Sequence, residues 1–177
     1  MNKVCRCGAE FHQYTTLQTK CPKCLAEQAA KKRKARERKE AAEKRKEMRA
    51  AKEKIKSRGQ WAKEAQAAFN RYIRLRDADE PCISCGRHHQ GQYHAGHYRS
   101  VGSAPELRFE ELNNHKQCAP CNSHLSGNLV NYRINLEKKI GDEKLAWLEG
   151  PHDPKRYTIE ELKEIKALYV AKCKELK

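Results

Sequence analysis

The chain has 177 residues, 34% of them charged, with a formal charge of +15, a pI near 9.5 and a mean hydropathy of −1.03. That much apolar material supports one modest core with appendages, and the lack of any long apolar run favours nucleic acid over a membrane protein's lipid setting. The charge excess calls for a polyanionic partner, nucleic acid before any other.

The first residues, MNKVCRCGAEF, carry neither an apolar signal core nor a cleavage-like site, so a cytoplasmic protein is expected. In that compartment cysteines in knuckles read as metal ligands rather than disulfides. Residues 1–26 hold a quartet, Cys5, Cys7, Cys21 and Cys24, with the spacing CxC then CxxC, which could close a small zinc knuckle. The CxC pair strains a shared tetrahedron more than CxxC does, and His12 is the substitute ligand if one thiol points away. The alternative is a terminus without metal.

Residues 27–58 are almost entirely Ala, Lys, Arg and Glu, without Pro, and Gly appears only after them at Gly59. These are the strongest helix formers, and Glu37, Glu40, Glu43 and Glu47 can pair with cations three or four positions away. A long solvated helix follows, without the apolar seam of a coiled coil. Residues 31–58 hold 15 Lys or Arg against 5 Glu, far beyond what pairing uses, so Lys31, Lys32, Arg33 and Lys34 are candidate phosphate contacts that are indifferent to base sequence. The plainer reading is a solvated charged face.

From residue 59 an apolar stripe begins: Trp61, Ala65, Ala68, Phe69, Tyr72 and Leu75 recur at helical spacing and stop before Pro81. Two CxxC knuckles follow, Cys82/Cys85 and Cys118/Cys121, which complete one four-thiolate zinc site. The 32 residues between Cys85 and Cys118 suit a hairpin or Ω-like excursion pinned at both ends. Zinc of this kind stands in for a core too small to fold alone and implies no catalysis by itself. Helices are expected over 129–140, ended by Gly141, and over 142–148. A last one opens with Thr158 and Glu161 in capping-box register. Cys173, on that last helix, reads as a packing residue. The segments divide as 1–26, 27–58, 59–141 and 142–177, and the fold class is α+β, mostly α.

The polar residues inside the second cage suggest chemistry. Phosphodiester hydrolysis needs a base for water and a cation for the charge that builds on phosphate oxygen. His97 suits the first task, because imidazole titrates near neutrality. Asn122, at the start of the helix that the second knuckle anchors, could offer an amide oxygen to a hard cation such as magnesium, with His94 completing the protein donors. Arg99 and Lys116 are further candidate phosphate contacts, and His115 and His124 are candidate auxiliary ligands.

The order CxxC, loop histidine, Asn, CxxCN resembles the cysteine-caged HNH, or ββα-metal, nucleases, among them the junction-resolving endonuclease VII of phages. The run HAGHYRSVGSAPELRFEELNNHKQCAPCNSHLSGNLVNYR, with PCISCG before it, is more closely similar to the lambdoid-phage NinG (Rap) recombination proteins. The resemblance implies a ββα-metal core and a structure-specific endonuclease that cuts Holliday junctions and D-loops in the bacterial cytoplasm. In that pattern His97 takes the general-base place, Asn113 the central asparagine that steadies hairpin and imidazole, and Asn122 a metal-ligand place. The chain departs from the pattern at Gly96, where many HNH enzymes carry an aspartate ligand. The resemblance puts Asp at the position of His94, and an imidazole there favours manganese or zinc over magnesium. Two symmetric cuts across a junction favour a homodimer, and host recombination proteins are candidate partners. The rival reading is a zinc-dependent DNA-binding recombination accessory without hydrolysis, which Gly96 favours. A basic RNA-associated zinc protein fits the composition but gives the His and Asn set no role.

Overall fold

The computed structural model describes residues 1–176 and divides them into two compact units, Met1–Lys56 and Ser57 onward. The four expected segments are thereby regrouped: the N-terminal knuckle and the basic helix form one unit, and the C-terminal helix belongs to the body that contains the second cysteine set.

In the first unit, β1 (Asn2–Val4) and β2 (Glu10–His12) pair antiparallel, with Lys3 opposite Phe11. Between them Gly8, at φ +88°, makes the reversal that an L side chain resists, and it lets the Gly8 N–H reach the Cys5 carbonyl at 2.8 Å. α1 (Pro22–Lys54) starts from Cys21 in extended conformation with Pro at its first position, where the missing N–H costs nothing. It runs 33 residues without burying one. Its persistence rests on propensity and on pairs such as Arg33–Glu37 and Arg36–Glu40. The small core of this unit is Cys5, Phe11 and Cys21.

The second unit opens with α2 (Arg58–Arg76), capped by Ser57, whose hydroxyl accepts from Gln60 N–H while the Gln60 side chain accepts from Ser57 N–H. Its stripe, Trp61, Ala65, Phe69 and Ile73, is buried against α5 (Ile159–Glu175), which is capped by the Thr158/Glu161 box and contributes Leu162 and Tyr169. Phe69 meets Phe109 and Tyr169 edge-to-face. Cys173 is buried in the same helix pair, with its thiol directed at the Ala68 carbonyl, so the packing role holds.

β3 (Tyr93–His97) and β4 (Asn114–Cys118) pair antiparallel, with Tyr93 opposite Cys118 and His97 opposite Asn114. The excursion between the knuckles is therefore a hairpin. After β4 comes a single wide turn, Pro120–His124, closed by a Leu125 N–H to Pro120 carbonyl bond of 3.0 Å. α3 (Leu129–Ile140) then packs on the hairpin with Tyr132 and Leu136, and α4 (Asp142–Glu149) closes the second apolar cluster with Leu145 and Leu148. Asn122 thus sits in the wide turn, seven residues ahead of the helix proper. Between turn and helix Ser126, Gly127 and Asn128 all have positive φ. The fold holds them there: the Gly127 carbonyl accepts from Ser84 Oγ and Gln117 Nε2, and the Asn128 amide reaches Cys121 Sγ at 3.6 Å. No helix among the described residues is long and apolar enough to cross a membrane.

Candidate functional site

Both cysteine quartets converge. In each, the four Sγ atoms lie within 4.8 Å of one another, and these are the two groups of three or more His, Cys, Asp or Glu donors among the described residues that could hold a metal ion. Zinc–thiolate bonds of about 2.3 Å in a tetrahedron require sulfur–sulfur edges of about 3.8 Å. Cys7–Cys21 at 3.6 Å and Cys85–Cys118 at 4.0 Å bracket that figure, far from a disulfide's ~2.0 Å. The CxC pair fits after all, because Gly8 folds the chain back at once. His12 contacts Asn2 instead, at 3.3 Å, and is not needed as a ligand.

The electrostatics agree with a cation-filled cage. Backbone N–H groups of Cys7 and Cys21 hold the Cys5 thiol down to about 6, whereas burial and neighbouring thiols push Cys118 up to about 12. Four thiols this close cannot all ionise unaided, and a divalent ion could take the place of the shared protons. Backbone amides serve the sulfurs as a zinc knuckle requires: Cys21 N–H to Cys5 Sγ and Cys118 N–H to Cys82 Sγ, both 3.3 Å. In the second set His89 adds a contact from its Nε2 to Cys85 Sγ at 3.2 Å. Gly86, at φ +66°, plays the part of Gly8.

The hairpin that this cage closes carries His94 and His97. Residues three apart on a strand point to opposite faces. His94 is on the side of the wide turn, where its Nδ1 is 2.9 Å from the Asn122 amide nitrogen. His97 points the other way, and its Nε2 is 3.1 Å from the Arg108 carbonyl. A carbonyl only accepts, so Nε2 carries the hydrogen and Nδ1 holds the free lone pair. Burial keeps the imidazole below the usual histidine range despite that bond, so it is neutral at pH 7.

Asn113 is fully buried and satisfied. Its Nδ2 donates to the carbonyls of Arg99 (3.0 Å) and Leu107 (3.1 Å), and its Oδ1 accepts from Arg99 N–H (2.8 Å). It clips both ends of the 98–113 loop, and the Leu107 carbonyl it grips is one residue from the carbonyl that orients His97. Asn113 is a positioning residue; it touches no open surface.

Gly96 has a structural reason. A Cβ there would lie 2.1 Å from Gln117 Oε1, and the Gln117 side chain is fixed by bonds from its Nε2 to Ser84 Oγ (2.6 Å) and to the Gly127 carbonyl (2.5 Å). The buried Gln117 occupies the space that an aspartate at 96 would need.

Two expectations need correction. Lys116 is buried, donates to the Ala78 carbonyl at 2.6 Å and lies over the Tyr93 ring, so its amine is not offered to phosphate. His115 is buried as well: its Nε2 donates to the Leu112 carbonyl and its Nδ1 faces Arg76, which leaves no nitrogen for a metal. Arg99 borders an open cleft, with its Nη1 donating to the carbonyls of Leu148 and Gly150 at the end of α4. Lys31, Lys32, Arg33 and Lys34 are exposed on α1, and His124 is exposed on the wide turn.

The cleft, of some 970 Å³, is bordered by His97, Tyr98, Arg99, Asn122, Leu129, Val130, Arg133, Ile134 and Glu149, among others. Arg133 and Glu149 form a two-pronged pair at 2.8 and 3.1 Å, and Tyr98 Oη donates to Glu149 at 2.5 Å. Arg133 closes the run quoted above, but nothing in the sequence pairs it with Glu149, because the two come from separate helices with no spacing signature.

Comparison with known proteins decides the family. A family model described as "Bacteriophage Lambda NinG protein" matches residues 1–177. The chain belongs to the NinG family. Protein ninG of Escherichia phage lambda is 53% identical over 123 residues, covering 70% of this chain and 60% of the relative. Protein ninG of Salmonella phage P22 is 51% identical over 123 residues, covering 70% and 61%. The aligned part thus spans about three fifths of the NinG relatives. No solved structure matches the chain.

Proposed function

We propose that this NinG-family protein is a metal-dependent endonuclease of the HNH type that cuts branched DNA recombination intermediates, such as four-way junctions and D-loops, in the cytoplasm of the phage's host. The observation that carries the reading is the state of His97, whose Nε2–H is held by the Arg108 carbonyl so that a neutral Nδ1 lone pair remains, on a residue bordering the cleft that Asn122 also borders. A general base oriented by a third group is the arrangement that water activation requires.

The catalytic cation would be held by His94 and Asn122, which already touch. Two such donors suit an ion that takes the rest of its shell from phosphate oxygens and water, manganese more readily than magnesium. Bound there, it would supply charge stabilisation at the phosphate. This chain's own residues supply the rest. Nδ1 of His97 receives the proton of the attacking water. The Asn113 clip keeps the loop and the Arg108 carbonyl in place. The cysteine cage fixes the hairpin on which both histidines sit. α1 adds affinity for the backbone whatever the sequence: Met1–Lys56 carries 18 Lys or Arg against 7 acids, Ser57–Lys177 20 against 16.

The second reading is a DNA-binding accessory protein without hydrolysis. It draws on the opposed faces of His94 and His97 and on the absence, among the described residues, of a group of three His, Cys, Asp or Glu donors that includes His94. Incubating labelled four-way and linear DNA with the protein in manganese, magnesium or no added divalent ion separates the two. Metal-dependent nicks confined to the branch support the nuclease. Tight binding with intact strands in every condition leaves the accessory protein. A homodimer is the expected state, since paired symmetric cuts need two sites.

A further inference from the structure

The cleft beside His97 has an unequal lining. The wall provided by α3 is apolar and open to solvent: Leu129 is 48% exposed, Val130 74% and Ile134 45%, with Leu125 just before them at 58%. These side chains sit next to Arg133. A duplex presents phosphates and sugars to a protein surface, and aliphatic side chains gain nothing from them. A nucleotide released from pairing is different, because it offers an apolar base face and a charged phosphate one bond series apart. Leucine, isoleucine and similar side chains serve elsewhere as wedges between base steps for this reason.

We infer that the α3 wall of the cleft is a subsite for an unpaired nucleotide, with the base lodged on Leu129, Val130 and Ile134 and its phosphate taken by Arg133. The lining carries two guanidinium groups, Arg99 and Arg133, against one carboxylate, Glu149, and this excess of positive charge selects nucleic acid as the occupant. Arg133 now grips Glu149 with both prongs, the geometry in which a guanidinium holds a phosphate, and its Nη1 is 3.5 Å from Glu137, so the anion takes the place of the Glu149 carboxylate while the looser Glu137 pair stays at the rim. Branch points are where duplex DNA has free bases, so the subsite explains a preference for branched substrates without reading sequence. The inference rests on the proposed nuclease reading for the placement of the branch, but not on hydrolysis itself.

The test uses a four-way junction with 2-aminopurine at the branch, mixed with the full-length protein without added magnesium or manganese, so that no cutting is needed. Binding should raise the fluorescence several-fold as the base leaves the stack. Val130→Ser should remove most of that rise and lower the junction-over-duplex affinity ratio about tenfold, and Val130→Phe should keep or enlarge both. The position is exposed, so neither change threatens the fold, and zinc content checks this. Arg133→Ala should weaken junction binding with a smaller salt dependence. An unchanged fluorescence rise and affinity ratio in Val130→Ser overturns the subsite. So does dissociation of a dimer by that variant, which would give the face to a second copy. A wild type that unstacks the base yet never cuts in manganese removes the nuclease reading and leaves the subsite standing. Cutting without any unstacking does the reverse.

Discussion

Gly96 shows how one missing side chain is dictated by another. The sequence marks it as a departure from the HNH pattern, and the packing explains it, since the fixed Gln117 amide fills the space where Cβ would go. Gly96→Asp is therefore expected to destabilise the protein by roughly 1–3 kcal/mol through overpacking, and to impair rather than improve metal binding. Chemical denaturation together with a manganese titration reads both effects. His115 and Asp77 make a second residue-scale prediction. Burial holds the His115 imidazole below its ordinary range; burial would raise the Asp77 carboxyl, but His115, Arg76 and the Lys116 N–H more than reverse this. For each, the folded state binds fewer protons than the unfolded chain, so the stability they supply is present above the unfolded values of about 6.5 and 3.9 and is lost as pH falls below them. Denaturant midpoints should decline from pH 7 to 5 and further below pH 4. Replacing His115 by a neutral isostere such as Gln should flatten the first decline.

At the scale of elements, the second knuckle pair is legible in the sequence because CxxC spacing has one common physical use, α2 and α5 because their apolar stripes agree with their capping boxes, and α3 because Gly141 ends it. The faces of β3 are not. A three-residue gap between His94 and His97 looks like one ligand pair only until the strand is known, after which parity puts them on opposite faces and Asn122, which touches His94 and borders the cleft with His97, is the link between them. The cleft pair Arg133–Glu149 and the buried state of Lys116 are equally out of reach, since both depend on which elements meet. Cys118→Ser should release zinc from the hairpin and unfold Ser57 onward, while α1 keeps its helical signal. Zinc analysis with far-ultraviolet circular dichroism distinguishes that from local loss of metal. Replacing Lys31, Lys32, Arg33 and Lys34 by Gln should weaken binding to all DNA shapes alike. It should also flatten the slope of log affinity against log salt by about 0.9 for each phosphate that the helix no longer neutralises.

Across the whole molecule, charge and chemistry are segregated. The first unit holds most of the positive excess on a helix with no buried residue, and the second is nearly balanced and contains His94, His97, the cleft and the main core. On the proposed reading, affinity for DNA and the choice of where to act belong to different parts of one chain. The account turns on His97 as the group that takes the water proton, and it is tested most directly by single-turnover cleavage of a four-way junction in manganese, comparing wild type with His97→Ala at saturating protein. The account predicts a rate at least about a hundredfold lower in the variant, the usual size of a lost general base, with junction affinity and zinc content unchanged. Cleavage by His97→Ala at the wild-type rate would contradict it.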